Sequence, residues 1–217
     1  FRSLEAQTAW VSQCLHLRDV ESPKALVEQL SAQEQGESTD QTYLKTLHPV
    51  LEYTLRAGPF SEHIALVESL LKRLQTLSPL VRARLQHTLG IAYRKEGRIE
   101  DGVKMQRLAL ATPGHAHWKR QAQSALAVGL VFLGKTAEAV PEFEAVYDWQ
   151  NRFGGTLHQI AAATNYGRVC LLSGQFERGW SVLRDGWDKA LKLAPIRLCE
   201  INGFNYAGSC LITGRDA

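Results

Sequence analysis

The sequence predicts an all-α fold, an α-α superhelix (solenoid) of antiparallel helical hairpins, and three observations carry that expectation. Turn signals recur at Asp19, Gly58, Gly97, Gly134, Gly174 and Gly214, at intervals of 39, 39, 37, 40 and 40 residues. Between them apolar residues return at helical spacing. No stretch alternates apolar and polar residues as a half-buried strand would. A single hairpin cannot bury its own apolar face, so a fixed beat of this length implies units that shelter against their neighbours. Five hairpins and the first helix of a sixth fill the 217 residues, read as one domain spanning 1–217 and as a fragment of a longer protein.

The elements follow in order. Ser22-Pro23 and Ser78-Pro79 each place a capping hydroxyl before a proline whose missing N–H costs nothing in the first turn, so both mark helix starts. Gln35 to Gln41 is the most polar run and is expected to join the first two hairpins. After Gly58, residues Ile64, Val67, Leu70, Leu71, Leu74 and Leu77 form one helical stripe; Val103, Leu108 and Leu110 follow Gly97, and Ala139, Phe143 and Val146 follow Gly134. Pro113-Gly114, Gly154-Gly155 and Pro195 separate later units. Pro141 falls inside a second helix, where it is expected to force a late start or a kink.

Composition narrows the function. Lys and Arg number 25 against 22 Asp and Glu, a net charge of +3, too balanced for the basic footprint of direct nucleic-acid binding. No apolar run approaches the roughly 20 residues that span a bilayer, and the opening Phe1-Arg2-Ser3-Leu4-Glu5 is too polar for a signal peptide. A cytoplasmic location is expected. Cys14, Cys170, Cys199 and Cys210 are scattered, without the close pairs of a zinc or redox site, and read as reduced core residues.

A search for chemistry returns little. His115 and His117 are two imidazoles without a nearby carboxylate or thiolate, and Gly154-Gly155 lacks the Lys and preceding strand of a phosphate loop. Gly129, Phe132 and Gly134 read as helix packing. Trp149, Phe153, Phe176, Trp180 and Trp187 cluster late in the chain, and hairpin packing accounts for them better than a ligand cage. No catalytic residue, metal ligand or cofactor is expected.

Leu89-Gly90, Tyr93, Gly97, Gly102 and Ala109 fit one copy of the tetratricopeptide repeat pattern. Leu126-Ala127, Leu130, Gly134, Ala139 and Phe143 fit a second; Tyr166-Gly167, Cys170, Gly174, Gly179 and Leu183 fit a third; Tyr206-Ala207, Cys210 and Gly214 begin a fourth. Residues 83 to 217 resemble that family closely, and the first 80 only by period. The beat of about 40 exceeds the family's usual 34. It resembles the tetratricopeptide-like domains of large bacterial transcription activators that carry an ATPase module and a LuxR-type or winged-helix DNA-binding domain.

In that family the first helices line a concave face, so the resemblance implies where binding residues lie. The inward positions are Arg84, His87, Ile91, Arg94 and Lys95, then Gln121, Ser124 and Val128, then Thr164, Asn165 and Arg168, then Phe204 and Asn205. Asn165 and Asn205 stand 40 residues apart, where family members that grip peptide carboxylates use an amide. With Arg84, Arg94 and Arg168 they would hold an acidic peptide tail or a small anionic effector through charge-assisted hydrogen bonds. The alternative is amides bonded to neighbouring backbone and solvated arginines. The expected role is a non-catalytic interaction or effector-binding module of a larger signalling or transcription regulator, with no direct nucleic-acid or membrane contact. A pure assembly scaffold is the second reading and an enzyme of unfamiliar type the third. Leu211-Ile212 suggests an uncapped apolar end, and with it self-association.

Overall fold

The repeating turn glycines organise the chain into paired helices. The computed structural model describes residues 51, 54–55, 59–73, 78–113, 116–193 and 196–215, and among these residues there is no strand. The helices are α1 (Phe60–Arg73), α2 (Pro79–Lys95), α3 (Ile99–Ala111), α4 (Ala116–Phe132), α5 (Thr136–Phe153), α6 (Thr156–Leu172), α7 (Phe176–Leu193) and α8 (Ile196–Thr213). They fall into two compact units, one reaching to Ala122 and one running from Gln123. Expectations that fall on Asp19, Ser22-Pro23, the 35–41 loop, Gly58, Leu74, Leu77, His115, Pro195 and Cys14 lie outside the described residues.

The turns that follow α2, α4, α6 and α8 use one device. Gly97, Gly134, Gly174 and Gly214 have φ of 86°, 72°, 80° and 66°, the left-handed region that costs a side-chain-bearing residue about 1–2 kcal/mol. At Gly97 the glycine N–H donates to the Arg94 carbonyl at 3.1 Å and the Arg98 N–H to the Tyr93 carbonyl at 2.9 Å. That double bond pattern satisfies the last carbonyls of a helix while reversing the chain. At the other end of α2, Ser78 accepts from the Val81 N–H at 3.4 Å with Pro79 in the first turn, as the sequence predicts.

Small residues set how closely the two helices of a hairpin approach. A β-carbon added at Gly102 would lie 2.8 Å from the Gly90 carbonyl oxygen, and one at Gly179 would lie 3.0 Å from that of Gly167. Ala127 and Ala139 occupy the corresponding positions between them and are fully buried. Around the first crossing Val67, Leu70, Val81, Leu85, Leu89 and Ala92 form a continuous core. Each such Leu or Val contributes about 1.5–3 kcal/mol of apolar transfer free energy. In the other unit Leu183, Tyr206 and Cys210 are buried together, with Leu171, Trp180 and Trp187 packed on them.

Several side chains depart from expectation. Leu108 is exposed, and the inward positions of α3 are Val103, Gln106 and Ala109. Pro141 does not delay α5, which begins at Thr136 and runs on to Phe153. Pro141 and Ala137, whose carbonyl loses its usual partner, are both exposed, on a side of the helix where water can reach. Trp180 and Trp187 pack as predicted, whereas Phe153 and Phe176 are exposed. Cys170 and Cys210 are buried free thiols.

Candidate functional site

The first-helix surface of the unit reaching to Ala122 is built on α2, which carries Arg82, Arg84, His87, Arg94 and Lys95 and no carboxylate. Four of its five predicted residues find distinct environments. The Arg84 guanidinium stacks 3.8 Å above the Trp118 ring of α4. His87 pairs through Nδ1 with Gln106 Oε1 at 2.8 Å, while Gln106 Nε2 donates to the His87 carbonyl at 2.9 Å. That second bond orients the amide so that Nδ1 is the protonated ring nitrogen. Arg94 lies against the second helix of its own hairpin, its Cβ 3.4 Å from where a Gly102 β-carbon would stand. Burial there lowers the proton affinity of its guanidinium. Lys95 turns to the preceding hairpin, donating to the Leu55 carbonyl at 2.9 Å with Nζ 4.8 Å from the Phe60 ring. The fifth, Ile91, is half-buried.

Arg84 and His87 are brought together in a cleft lined also by Leu80, Thr112, Trp118 and Lys119. Its volume is about 20 Å³, room for roughly one water. Its walls hold no acidic side chain. Gln121, also in this unit, is half-buried.

In the second unit the predicted residues are Ser124, Asn165, Arg168 and Asn205. Ser124 and Asn165 are half-buried, and Thr164, expected to face inward, is buried with its hydroxyl donating to the Ile160 carbonyl at 2.9 Å. Asn205 Nδ2 donates to the Ile201 carbonyl at 2.7 Å, the local bond that an amide on a helix surface commonly makes. Arg168 is exposed, with no ion-pair partner among the described residues. Leu157, Ala161, Asn165, Arg168 and Leu172 follow one another at three- and four-residue steps and so share a face of α6. All but Asn165 are exposed. On α8 the large apolar residues exposed among the described ones are Ile201, Phe204, Leu211 and Ile212. An exposed arginine beside uncovered apolar side chains presents charge-assisted donors next to apolar surface.

Sequence reasoning missed Gln106, Trp118 and Lys119. Gln106 was findable: it stands nine residues after its turn glycine, where the next hairpins carry Phe143 and Leu183. Among the described residues no group of His, Cys, Asp and Glu side chains is arranged to hold a metal, and no helix is long and apolar enough to cross a membrane.

Comparison with solved structures agrees with this architecture. BtubC from P. vanneervenii is similar to the chain with a TM-score of 0.71 at 16% identity, covering 99% of this chain and 85% of that one. A kinesin light chain-like protein of Podosopora anserina with nearly identical tetratricopeptide-like repeats gives 0.63 at 20% identity, covering 87% and 95%. A point variant of the same protein gives 0.65 over the same shares. The fold is a tetratricopeptide-like helical repeat. No family model matches the chain, and no curated protein matches it. The tetratricopeptide-like fold explains why small residues recur at the hairpin crossings, and identities of 16–20% extend the likeness to the fold alone.

Proposed function

We propose that this chain is a non-catalytic protein-interaction module whose first helices bind a peptide segment carrying a carboxylate between apolar side chains. The observation that supports this most directly is Arg168, exposed on α6 in line with Leu157, Ala161 and Leu172. Asn165, one turn away, adds an amide donor. The cleft at Arg84 and His87 has room for little more than a water, which favours an open surface taking a peptide over a buried small effector. The module belongs, in this reading, to a longer cytoplasmic signalling or transcription regulator, with 1–217 as one domain of it.

The test uses peptides with apolar residues around a central Glu, and the same peptides with Gln, measured by fluorescence anisotropy. The Glu peptides are expected to bind more tightly, and Arg168→Ala to weaken them by about tenfold, one lost charge-assisted bond. Asn165→Ala weakens them by less. An Arg168→Ala chain with unchanged circular dichroism and unchanged affinity would remove the basis of the proposal.

A second reading, an assembly scaffold that binds through its end, is favoured by one observation: Phe204 is 83% and Leu211 85% exposed on α8. In that case Arg168 has no effect and substitutions on α8 do.

A further inference from the structure

The exposed stripe of α6 that carries Arg168 has a counterpart on α8, and these two helices touch each other as well as α7. The forty-residue beat matches Ala161 with Ile201, Asn165 with Asn205, Arg168 with Gly208 and Leu172 with Ile212. On α8 the four follow one another at four- and three-residue steps and so share a face, as their counterparts do on α6. Phe132 holds the place of Leu172 one hairpin earlier, two residues before its turn glycine.

Large and small side chains are sorted along these stripes. Phe132, Leu172 and Ile212 are each more than half exposed and form an apolar row at the ends of three successive first helices. Leu157 on α6 and Ile201 on α8 are exposed toward the other end. Between the two ends lie Ala161, Asn165 and Gly208, and a β-carbon at Gly208 would meet nothing within 4 Å. Asn205 is folded onto its own helix, its Nδ2 donating to the Ile201 carbonyl at 2.7 Å. The surface is therefore a trough with apolar walls and a floor of small groups, with Arg168 exposed within it.

Width and charge name the occupant. Leu157 and Leu172 are 15 residues apart, and Ile201 and Ile212 are 11. At about 1.5 Å per residue the walls stand about 22 Å apart on α6 and about 16 Å apart on α8, centre to centre. Allowing for the bulk of the wall side chains, a helix about 10–12 Å across fills that space and touches both. An extended segment, about 5 Å across its backbone, leaves one wall bare. Small residues on the floor let a helix backbone come close, as Gly90 and Gly102 do within a hairpin. α6 has no acidic side chain and α8 only Glu200, so the surface is complementary to an acidic partner.

We infer, on the basis of the peptide-binding role proposed above, that the trough takes its peptide as an amphipathic α-helix lying across α6 and α8. The apolar face of that helix packs between the two walls, and a Glu or Asp at its centre meets the Arg168 guanidinium. Gly208 is the position that sets specificity: its missing side chain leaves the floor open at the place matching Arg168, and a large residue there closes it.

The experiment uses two peptides of about 18 residues, both with Leu along one helical face and Glu at the centre of that face. One has Ala on the opposite face; the other has two Pro there, which break the helix and leave the Leu and Glu in place. Fluorescence anisotropy is expected to show the Ala peptide binding at least about tenfold more tightly, with a helical circular dichroism signal that grows on binding. Gly208→Leu is expected to weaken the Ala peptide by about tenfold through a clash on the floor. Phe132→Ala weakens it several-fold by removing part of one wall. If both peptides bind equally and Arg168→Ala weakens both, the segment binds extended: the inference fails and the peptide-binding role stands. If Arg168→Ala weakens neither, both fall. An Ala peptide that binds Gly208→Leu as tightly as the parent chain also overturns the inference. A dimer of the chain alone on sedimentation, lost in Gly208→Leu, assigns the trough to a second copy and overturns it too.

Discussion

Gln106 is held at both ends of its amide by a single residue, His87: Oε1 meets His87 Nδ1 at 2.8 Å and Nε2 donates to the His87 carbonyl at 2.9 Å. Gln106 is 2% exposed and occupies the register that Phe143 and Leu183 fill with apolar volume in the next two hairpins. The hairpin of α2 and α3 is thus closed by a polar lock where its neighbours use packing, and Gly90 makes the space, since a β-carbon there would lie 2.5 Å from Gln106 Nε2.

This relationship predicts a thermodynamic cycle. His87→Ala strands one end of a buried amide and costs about 1–3 kcal/mol. Gln106→Leu restores the apolar residue used at Leu183 and costs less. In the Gln106→Leu background, His87→Ala is then nearly neutral, because both partners are gone. Urea denaturation of the four chains measures the coupling, and additive effects would refute the lock.

The hairpin crossings predict opposite signs for one substitution. Gly102→Ala sets a methyl carbon 2.8 Å from the Gly90 carbonyl oxygen, a backbone atom that cannot yield cheaply, and costs about 1–3 kcal/mol. Gly208→Ala on α8 meets nothing within 4 Å and gains up to about 1 kcal/mol of helix propensity. Thermal melts of the two variants check the contrast.

Tyr93 predicts an alkaline limit. Burial, then a hydrogen bond from its hydroxyl to Glu68, pushes its phenol up to about 12. The folded chain therefore holds this proton more tightly than the unfolded chain, whose tyrosine titrates at about 10. The resulting stability is complete below pH 10 and is lost as pH rises toward 12. Tyr93→Phe is expected to flatten the fall in denaturation midpoint over that window, and an unchanged slope would contradict the assignment.

Cys170 predicts a kinetic marker. It is fully buried, and burial pushes its thiol up, away from the reactive thiolate. Alkylation by iodoacetamide at pH 8, followed by peptide mass spectrometry, is expected to be at least about a hundredfold slower than in urea, because it waits for local opening. Rapid native labelling would show that this core is not closed.

The turns and crossings were legible in the sequence because few residues solve them. Only glycine accepts the left-handed backbone at Gly97, Gly134, Gly174 and Gly214 without strain, and only a small residue lets two helix backbones meet at Gly90 and Gly102. The binding surface was legible only as a set of positions. Arg84, His87, Arg94 and Lys95 share one helix in the sequence, yet they reach Trp118, Gln106, the Gly102 region and Leu55 respectively. A long side chain can choose among several neighbours, and the choice depends on helices distant in the chain.

What the sequence determined by itself was therefore the repeat: its period, its helical class, its turns and the small residues at its crossings, all set by local backbone sterics and by the spacing of apolar residues. Only the tertiary structure decided that Gln106 locks onto His87, that Lys95 donates to the Leu55 carbonyl, and that Arg168 stands uncovered among apolar side chains. The reason is physical. Backbone conformation is constrained residue by residue, whereas the partner of a polar side chain is fixed by which other helix the packing brings within about 3 Å.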